Sequence, residues 1–399
     1  MKSVRLVTAA LATAAVSATL TAPAAAAVPG AAGAGSDQPG QSRPGNPHFG
    51  GPGHPHPGPP GLRRFAPEGF RIGSAVAGGG HHAEQPYPDP FGSDTRYRRE
   101  LAAQFDSLSP ENQMKWEYLR PEPGVYDFDA ADAIVDFAER NGQVVRGHTL
   151  LWHSQNPEWL EQGDFTADEL RTMLREHITT VVGRYAGRIQ QWDVANEIFD
   201  SQGALRTEEN IWIRELGPGI IADAFRWAHE ADPEADLFFN DYGVAGTNAK
   251  SDAYYALITD LRDEGVPVHG FSAQAHLSLS YGFPADMEDN LRRFDDLGVA
   301  TAVTELDVRM ELPDSGVPTR DQLGRQADYY GRALTACLNV DGCDSFTIWG
   351  VPDRYSWVPV FFEGQGAATV LWDDYSPKPA YHGLRMRLAR AGHGAANPM

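Results

Sequence analysis

The chain has 399 residues and a formal net charge of −21 at neutral pH, with 54 acidic and 33 basic side chains. This excess of negative charge argues against nucleic acid or an anionic membrane surface as a partner. The length exceeds that of one average domain, yet a single α/β barrel can use most of it.

Residues 1–27 have the pattern of a signal peptide. Lys2 and Arg5 give a basic start, residues 6–20 form an apolar stretch, and residues 25–27 are small alanines suited to cleavage. A retained N-terminal anchor is the alternative, but the apolar stretch is short and rich in alanine. We therefore expect a secreted, extracellular protein with no membrane attachment after the signal peptide is removed.

Residues 28–64 are dense in Gly and Pro and contain His48, His54 and His56. This composition cannot bury a core, so we expect a flexible extension that precedes the folded domain. The three histidines could in principle bind a metal, but they lack a rigid frame, and we predict no metal site.

From Phe65 onward, eight apolar or β-branched runs alternate with eight helix-like segments. The runs are GSAVAG, FDSLSPE, VVRGHTLLW, IQQWDVANE, DLFFNDYG, GFSAQAHL, ATAVTELDV and DSFTIWGV. This alternation predicts an α/β fold, a (β/α)8 TIM barrel forming one domain over residues 65–391, followed by a tail at 392–399. A doubly wound open sheet is the alternative, but AVAGGGHHAEQ lacks the full dinucleotide-binding fingerprint.

Cys337 and Cys343 are the two cysteines of the chain and lie six residues apart. In an oxidising compartment they predict a small structural disulfide loop. Two cysteines cannot by themselves complete a structural zinc site.

The carboxyl ends of the strands carry the active site in a barrel of this kind. Seven of the predicted ends present polar or aromatic side chains: Glu111, Asn112 and Lys115; His148, Trp152, His153 and Gln155; Asn196 and Glu197; Asn240, Asp241 and Tyr242; Gln274 and His276; Glu305 and Asp307; and Trp349, followed by Trp357. A single His or Trp at such a position is usually part of the core, but packing does not explain so many at one rim.

Glu197 and Glu305 each close an apolar strand, where a carboxylate is costly unless it has partners or a task. Two such acids indicate paired acid and nucleophile chemistry on a sugar. The two-residue period of a strand puts Glu305 and Asp307 on one face, and Gln274 and His276 on one face of the neighbouring strand. His276 could then lie between Glu305 and Asp307 and hold Glu305 ionised.

The motifs WDVANE, TELDV, ENQMKWE, RGHTLLWHSQ and IWGVPDRYSW together resemble those of glycoside hydrolase family 10 endo-β-1,4-xylanases. The resemblance extends from about Phe70 to the last helix. It implies that Glu197 is the general acid/base and Glu305 the nucleophile of a retaining double displacement, with the two carboxyl groups about 5–5.5 Å apart. It also implies a high pKa for Glu197 in the free enzyme.

The resemblance also implies the sugar-binding residues by position. Glu111, Asn112 and Lys115 resemble glycone ligands; His148, Asn196, Gln274 and His276 resemble the shell of the reacting ring; Trp152, Trp349 and Trp357 resemble aromatic walls; and Gln155 and Tyr242 resemble peripheral contacts, with Asp307 in a supporting role. The expected partners are xylan and xylo-oligosaccharides, the expected state is a monomer, and neither a metal nor an organic cofactor is required.

Two further functional hypotheses remain open from the residues alone. A β-1,4-glucanase or a glycosidase acting on saponins would keep the chemistry and change the sugar. A secreted glycan-binding barrel without catalysis is a third possibility, against which both acids, Asn196 and His276 argue.

Overall fold

The computed structural model describes residues 61–395, with side chains as far as residue 392. The predicted signal peptide, nearly all of the predicted extension and the last four residues lie outside the described residues. Leu62–Arg64 form a short 3-10 helix, and Leu62 is fully buried. The folded part therefore begins before Phe65, because the apolar Leu62 side chain packs into the core.

Eight parallel strands form a closed barrel, which confirms the predicted fold class. They are β1 (Arg71–Val76), β2 (Ser107–Pro110), β3 (Val144–Leu151), β4 (Gln191–Asn196), β5 (Asp236–Asp241), β6 (Gly270–Ala273), β7 (Ala300–Glu311) and β8 (Cys343–Ile348). Each strand pairs with the next one along the chain. β8 also pairs with β1, with Phe346 opposite Ile72, and this pairing closes the sheet.

Eight long helices surround the barrel, one after each strand. They are α1 (Thr95–Gln104), α2 (Asp129–Arg140), α3 (Ala167–Arg184), α4 (Ile220–Ala231), α5 (Ala249–Asp263), α6 (Met287–Asp296), α7 (Arg320–Leu338) and α8 (Pro379–Ala395). α3 begins at a capping box, in which Thr166 and Glu169 satisfy each other's backbone N–H groups. α8 continues to Ala395, so the first residues of the predicted tail are helical.

The short elements follow the carboxyl ends of the strands and shape that rim. They are the helical turns Gly80–Glu84, Pro90–Ser93, Trp116–Leu119, Glu158–Glu161, Ile211–Leu216, Asp353–Tyr355 and Val358–Phe361, and the short strands His276–Ser278 and Gln365–Gly366. The loops at this rim therefore carry structure of their own.

The strands are buried on both faces, as expected for a parallel sheet covered by helices. Large rings fill the barrel, and glycines make room for two of them. A Cβ atom at Gly147 would lie 2.2 Å from the Trp192 ring, and one at Gly270 would lie 2.1 Å from the Phe238 ring. Side chains at these two positions would therefore collide with the core.

Cys337 near the end of α7 and Cys343 at the start of β8 form a disulfide, with their Cα atoms 5.2 Å apart. This confirms the predicted loop. The bond ties the last barrel strand to the helix that precedes it.

Among residues 61–395, no helix combines the length and the apolar character needed to cross a membrane.

Candidate active site

A cleft of about 1090 Å³ lies at the carboxyl ends of the strands. Thirteen of the predicted catalytic and sugar-binding residues line it: Glu111, Asn112, Lys115, His148, Trp152, Gln155, Glu197, Tyr242, Gln274, His276, Glu305, Trp349 and Trp357. The barrel thus brings together side chains that are as much as about 250 residues apart in the chain.

Glu197 follows β4, and its backbone has a φ of +54°. This left-handed conformation turns the side chain out of the strand and into the cleft. Its carboxylate accepts hydrogen bonds from the Trp152 indole at 2.9 Å and from the Gln274 amide at 3.0 Å. The His153 imidazole lies 3.9 Å away.

The pKa of Glu197 differs from the expectation for a free general acid. Burial raises it, but the hydrogen bond from Gln274, the nearby His153 and the hydrogen bond from Trp152 together bring the pKa below its ordinary value. The sequence expectation considered the neighbouring acid and did not foresee these donors. The unliganded site therefore favours an ionised Glu197.

Glu305 lies within β7 and is almost fully buried. One carboxylate oxygen accepts a hydrogen bond from the Asn240 amide at 2.7 Å, and the other lies 3.2 Å from Nε2 of His276. An amide donor and an imidazole on opposite oxygens hold this carboxylate in one orientation.

His276 lies between Glu305 and Asp307, in the arrangement that the two-residue period of β7 suggested. Its Nδ1 is 2.9 Å from Asp307, which also accepts a 2.7 Å hydrogen bond from the Trp357 indole. Burial lowers the pKa of His276, but Asp307 and Glu305 outweigh it and raise that pKa to about 10. The imidazole therefore carries a positive charge beside Glu305 at neutral pH.

The path of the chain after β6 differs from the expected continuous strand. β6 ends at Ala273, and Ala275 has a φ of +60° before the chain resumes as the short strand His276–Ser278 beside β7. Gln274 and His276 still face the cleft, but a kink places them there. The two residues are therefore not neighbours on one extended strand.

Asn196 and Asp307 are fully buried behind the cleft surface. The carboxamide of Asn196 lies 3.0 Å from that of Asn240 and 3.3 Å from that of Gln274. That Asn196 contacts the sugar stays a prediction, and its contacts in the structure are with these two neighbouring amides. The structure places it as a support that links the partners of the two glutamates.

Elsewhere in the cleft, Glu111 forms a 2.8 Å hydrogen bond with Nε2 of His82. Nε2 of His81 lies 3.8 Å from the second carboxylate oxygen of Glu111. Burial raises the pKa of Glu111, but both histidines and Lys115 bring it below its ordinary value. Burial is also the main cause that lowers the pKa of His81 to about 4.

Lys115 joins the predicted glycone residues. Its ammonium donates to Asn112 at 3.0 Å and to Gln155 at 2.6 Å, and it lies 4.7 Å from the centre of the Trp152 ring. Burial lowers the pKa of Lys115 despite the surrounding carboxylates. Gln155, whose φ is +50°, also donates to Glu117 at 2.8 Å.

A buried ion pair fixes the orientation of the His148 side chain. Its Nδ1 lies 3.0 Å from Asp193, and Asp193 is in turn paired with Arg146. Burial raises the pKa of Asp193, but Arg146 and His148 bring it below its ordinary value. The Trp349 ring lies edge-on to the His148 ring, with centroids 5.6 Å apart.

Tyr242 lies at the outer edge of the cleft, where its side chain is 39% exposed and its hydroxyl accepts a 2.6 Å hydrogen bond from Arg206. The preceding Asp241 is buried and accepts hydrogen bonds from Lys250 and Tyr254, each at 2.6 Å. Burial raises the pKa of Asp241 to about 7, although Lys250 opposes the shift.

Sequence reasoning did not assign roles to several residues that contact the site. Asn240 donates to Glu305, Asp193 orients His148, and His82 holds Glu111. Asn240 is the penultimate residue of β5 and was among the polar residues predicted at strand ends. Asp193 lies inside β4, and His82 lies in the helical turn Gly80–Glu84. The pattern of polar residues at strand ends therefore did not indicate either residue.

The family model described as Glycosyl hydrolase family 10 matches residues 62–386. The chain belongs to glycosyl hydrolase family 10. It is therefore a glycoside hydrolase, and its barrel is the catalytic fold of a family 10 protein.

Two curated relatives in this family cover most of the chain. Endo-1,4-beta-xylanase B of Thermotoga neapolitana is 40% identical over 290 residues, which are 73% of this chain and 82% of that protein. Beta-1,4-xylanase of Dictyoglomus thermophilum is 43% identical over 295 residues, which are 71% of this chain and 82% of that protein.

Solved structures show the same architecture. Native xylanase 10B from Thermotoga maritima and the xylobiose complex of xylanase 10B from Thermotoga petrophila RKU-1 each match with a TM-score of 0.77 at 37% identity. Each match covers 84% of this chain and 99% of the other. The family 10 match therefore extends over the whole barrel.

Proposed function

We propose that this protein is an endo-1,4-β-xylanase that hydrolyses internal bonds of xylan with retention of anomeric configuration. The observation that carries the proposal is the contrast between Glu305, held by Asn240 and a charged His276, and Glu197, held by the neutral donors Trp152 and Gln274. The names of the relatives, and the xylobiose bound to one neighbour, support xylan as the substrate.

In the first step, Glu305 attacks the anomeric carbon while Glu197 protonates the leaving glycosidic oxygen. A covalent glycosyl–enzyme intermediate forms and the aglycone leaves as an alcohol. In the second step, Glu197 removes a proton from water, which attacks the same carbon and releases Glu305 as a carboxylate. This sequence requires about 5–5.5 Å between the two carboxyl groups.

Charge at the two acids fits this order of events. The positive charge on His276 lies beside the Glu305 carboxylate before attack, and esterification of Glu305 removes a negative charge from the site. Glu197 has to be protonated in the first step and ionised in the second. Its lowered pKa favours the second role, so we expect the first step to limit activity as the pH rises.

The test is the anomeric configuration of the products from xylotetraose, followed by proton NMR in the first minutes. Retention predicts that the β-anomer appears first and that the α-anomer follows by mutarotation. Initial appearance of the α-anomer would contradict the mechanism. Higher kcat/KM on cello-oligosaccharides than on xylo-oligosaccharides would contradict the substrate.

The roles of the glutamates are tested by Glu305→Ala, which should reduce kcat at least roughly 10⁴-fold while xylan binding persists. Azide should restore turnover in this variant and give a glycosyl azide of inverted configuration, because a small anion can occupy the space left by the carboxylate. Glu311→Ala is the control, since Glu311 ends the same strand and is exposed. Equal activity of the Glu305 and Glu311 variants would overturn the assignment of the nucleophile.

We also propose that the protein acts outside the cell as a monomer, with residues 1–27 removed and the catalytic domain following the extension at 28–64. The signal-peptide pattern and the Cys337–Cys343 disulfide support an oxidising destination. Sequencing the N-terminus of the exported protein and measuring its mass by light scattering test these points. An N-terminus that still begins at Met1, or a dimer mass, would contradict them.

A further inference from the structure

His81, His82 and Glu111 form a cluster at the glycone end of the cleft, which we call the His–His–Glu cluster. One ligand atom from each of the three residues lies within 4.8 Å of the other two. His81 and His82 belong to the helical turn Gly80–Glu84 after β1, and Glu111 follows β2. The cluster thus joins the first two loops of the rim.

One nitrogen atom of the cluster makes no hydrogen bond to the described part of the protein. Nε2 of His81 is buried and has no hydrogen-bond partner among residues 61–392, and its side chain is only 11% exposed. A buried polar atom without a partner is rare in folded proteins and asks for an explanation. This nitrogen lies 3.8 Å from a carboxylate oxygen of Glu111, and His81 lines the cleft.

Two imidazoles and one carboxylate are a ligand set that suits zinc and its neighbours among the transition metals. Ligand atoms around a tetrahedral zinc lie about 3.3 Å apart, given metal–ligand bonds of about 2.0–2.1 Å. Nε2 of His82 lies 2.8 Å from one Glu111 oxygen and Nε2 of His81 lies 3.8 Å from the other, so the carboxylate and the two imidazoles have to adjust before one metal can contact all three groups. The separation of the two imidazole nitrogens is at most 4.8 Å and has to shorten most.

We propose that the His–His–Glu cluster binds one divalent transition metal of the zinc class. Nε2 of His81, Nε2 of His82 and a Glu111 oxygen supply three ligands. The fourth position faces the cleft, because His81 and Glu111 both line it.

Metal at this cluster changes what the glycone end can bind. A Glu111 oxygen that coordinates the metal cannot also accept a hydrogen bond from a sugar hydroxyl, and the metal lies where the sugar would enter. Zinc therefore competes with xylo-oligosaccharides for the cleft. This consequence rests on the proposed xylanase function, whereas the binding of zinc itself does not.

The binding experiment is calorimetric titration of the metal-free full chain with Zn²⁺. His48, His54 and His56 are replaced by Gln throughout, so that zinc held by the N-terminal histidines is not counted. This parent should bind one equivalent, and His81→Gln should weaken binding at least about tenfold. His382→Gln is the matched control, because His382 is exposed on α8, and it should bind as the parent does.

Two results would overturn the proposal: a parent that takes up no zinc, or equal zinc affinity in the His81 and His382 variants. Co²⁺ titration of the parent gives a second measurement that needs no cluster variant, since tetrahedral coordination produces visible absorption bands and octahedral coordination by water does not. Weak octahedral bands alone would also overturn it.

A kinetic measurement tests the competition. Zinc should raise KM for xylotetraose in the parent with little change in kcat, and should do so much less in His81→Gln. Equal sensitivity of both would contradict the competition. A metal-free parent without xylanase activity would refute the proposed function and leave the calorimetric result standing.

Discussion

At the scale of single residues, the two glutamates proposed as catalytic residues differ mainly in what surrounds them. Glu305 meets a charged imidazole and an amide, while Glu197 meets an indole and an amide with a histidine nearby. Burial alone would raise the pKa of Glu197, and the donors around it reverse that shift. The donors around Glu305 fix the orientation of its carboxylate.

Removing the donor at Gln274 should move the pH profile of kcat/KM. Gln274→Met keeps the length of the side chain and loses the N–H group that holds Glu197 ionised. The pKa of Glu197 should rise, because the hydrogen bond from Gln274 is the largest of the favourable interactions that lower it. A general acid with a higher pKa stays protonated to higher pH, so the alkaline limb should move upward.

Gln162→Met is the control for this prediction, because Gln162 is exposed and lies away from the cleft. The alkaline limb of this variant should coincide with that of the unsubstituted protein. An unmoved or lowered limb in Gln274→Met would show that another group sets the profile.

His276 should contribute a pH-dependent part of the stability. Its pKa of about 10 in the folded protein lies above the ordinary value of 6.5, so its contribution is complete below pH 6.5 and disappears as the pH rises through 10. The free energy of unfolding lost in His276→Asn should therefore be a few kcal/mol at pH 5.5 and much smaller at pH 10.

Urea unfolding at both pH values measures this difference. His382→Asn serves as the exposed control and should show little change at either pH. A loss in His276→Asn that is the same at pH 5.5 and pH 10 would mean that the imidazole stabilises by packing and not by charge.

At the scale of elements, backbone conformation after the strands aims the functional side chains. Gln155, Glu197 and Ala275 all follow barrel strands and all have φ between +50° and +60°. Such conformations cost about 1–2 kcal/mol for a residue with a Cβ atom. The barrel therefore accepts local strain at the rim, where it turns side chains into the cleft.

Glycine at position 275 should relieve part of this strain. Ala275→Gly loses a buried methyl group, worth about 0.8 kcal/mol, and gains conformational ease at positive φ. Ala273→Gly loses a buried methyl group at the end of β6 without that gain. The first variant should be more stable than the second by about 1–2 kcal/mol. Chemical denaturation of the two proteins side by side measures this, and equal stabilities would contradict it.

The sequence predicted the elements well because their periodicity is local, and it predicted the site less completely. Alternation of runs located all eight strands, and the two-residue period of β7 placed His276 between Glu305 and Asp307. Periodicity assumes an extended chain, so it missed the kink at Ala275. The pKa of Glu197 depends on the hydrogen-bond donors Trp152 and Gln274, which directly follow β3 and β6. Only the three-dimensional structure shows that these donors reach Glu197.

At the scale of the whole molecule, the formal net charge is −21, whereas the proposed substrate is a neutral polysaccharide. The hydroxyl groups of unsubstituted xylan do not respond to that field. Acidic substituents on a substrate do, because like charges repel over roughly a Debye length, about 10 Å at 0.1 M salt.

Salt should therefore affect acidic and neutral substrates differently. Raising the ionic strength from about 10 mM to about 150 mM should increase kcat/KM on glucuronoxylan by about two- to tenfold, because screening weakens the repulsion. The neutral substrate xylotetraose is the control and should show little change. A fall in kcat/KM on glucuronoxylan with salt would show that local basic groups outweigh the net charge.

The pairing of β1 with β8 sets a waiting time during synthesis. β1 is complete once Val76 has left the ribosome, but its partner Phe346 follows about 270 residues later. At about 5–20 residues per second, one edge of β1 stays unpaired for roughly 15–50 s. A chain that folds in step with its synthesis or export would keep the unpaired N–H and C=O groups of that edge open to other chains, until the eighth strand arrives.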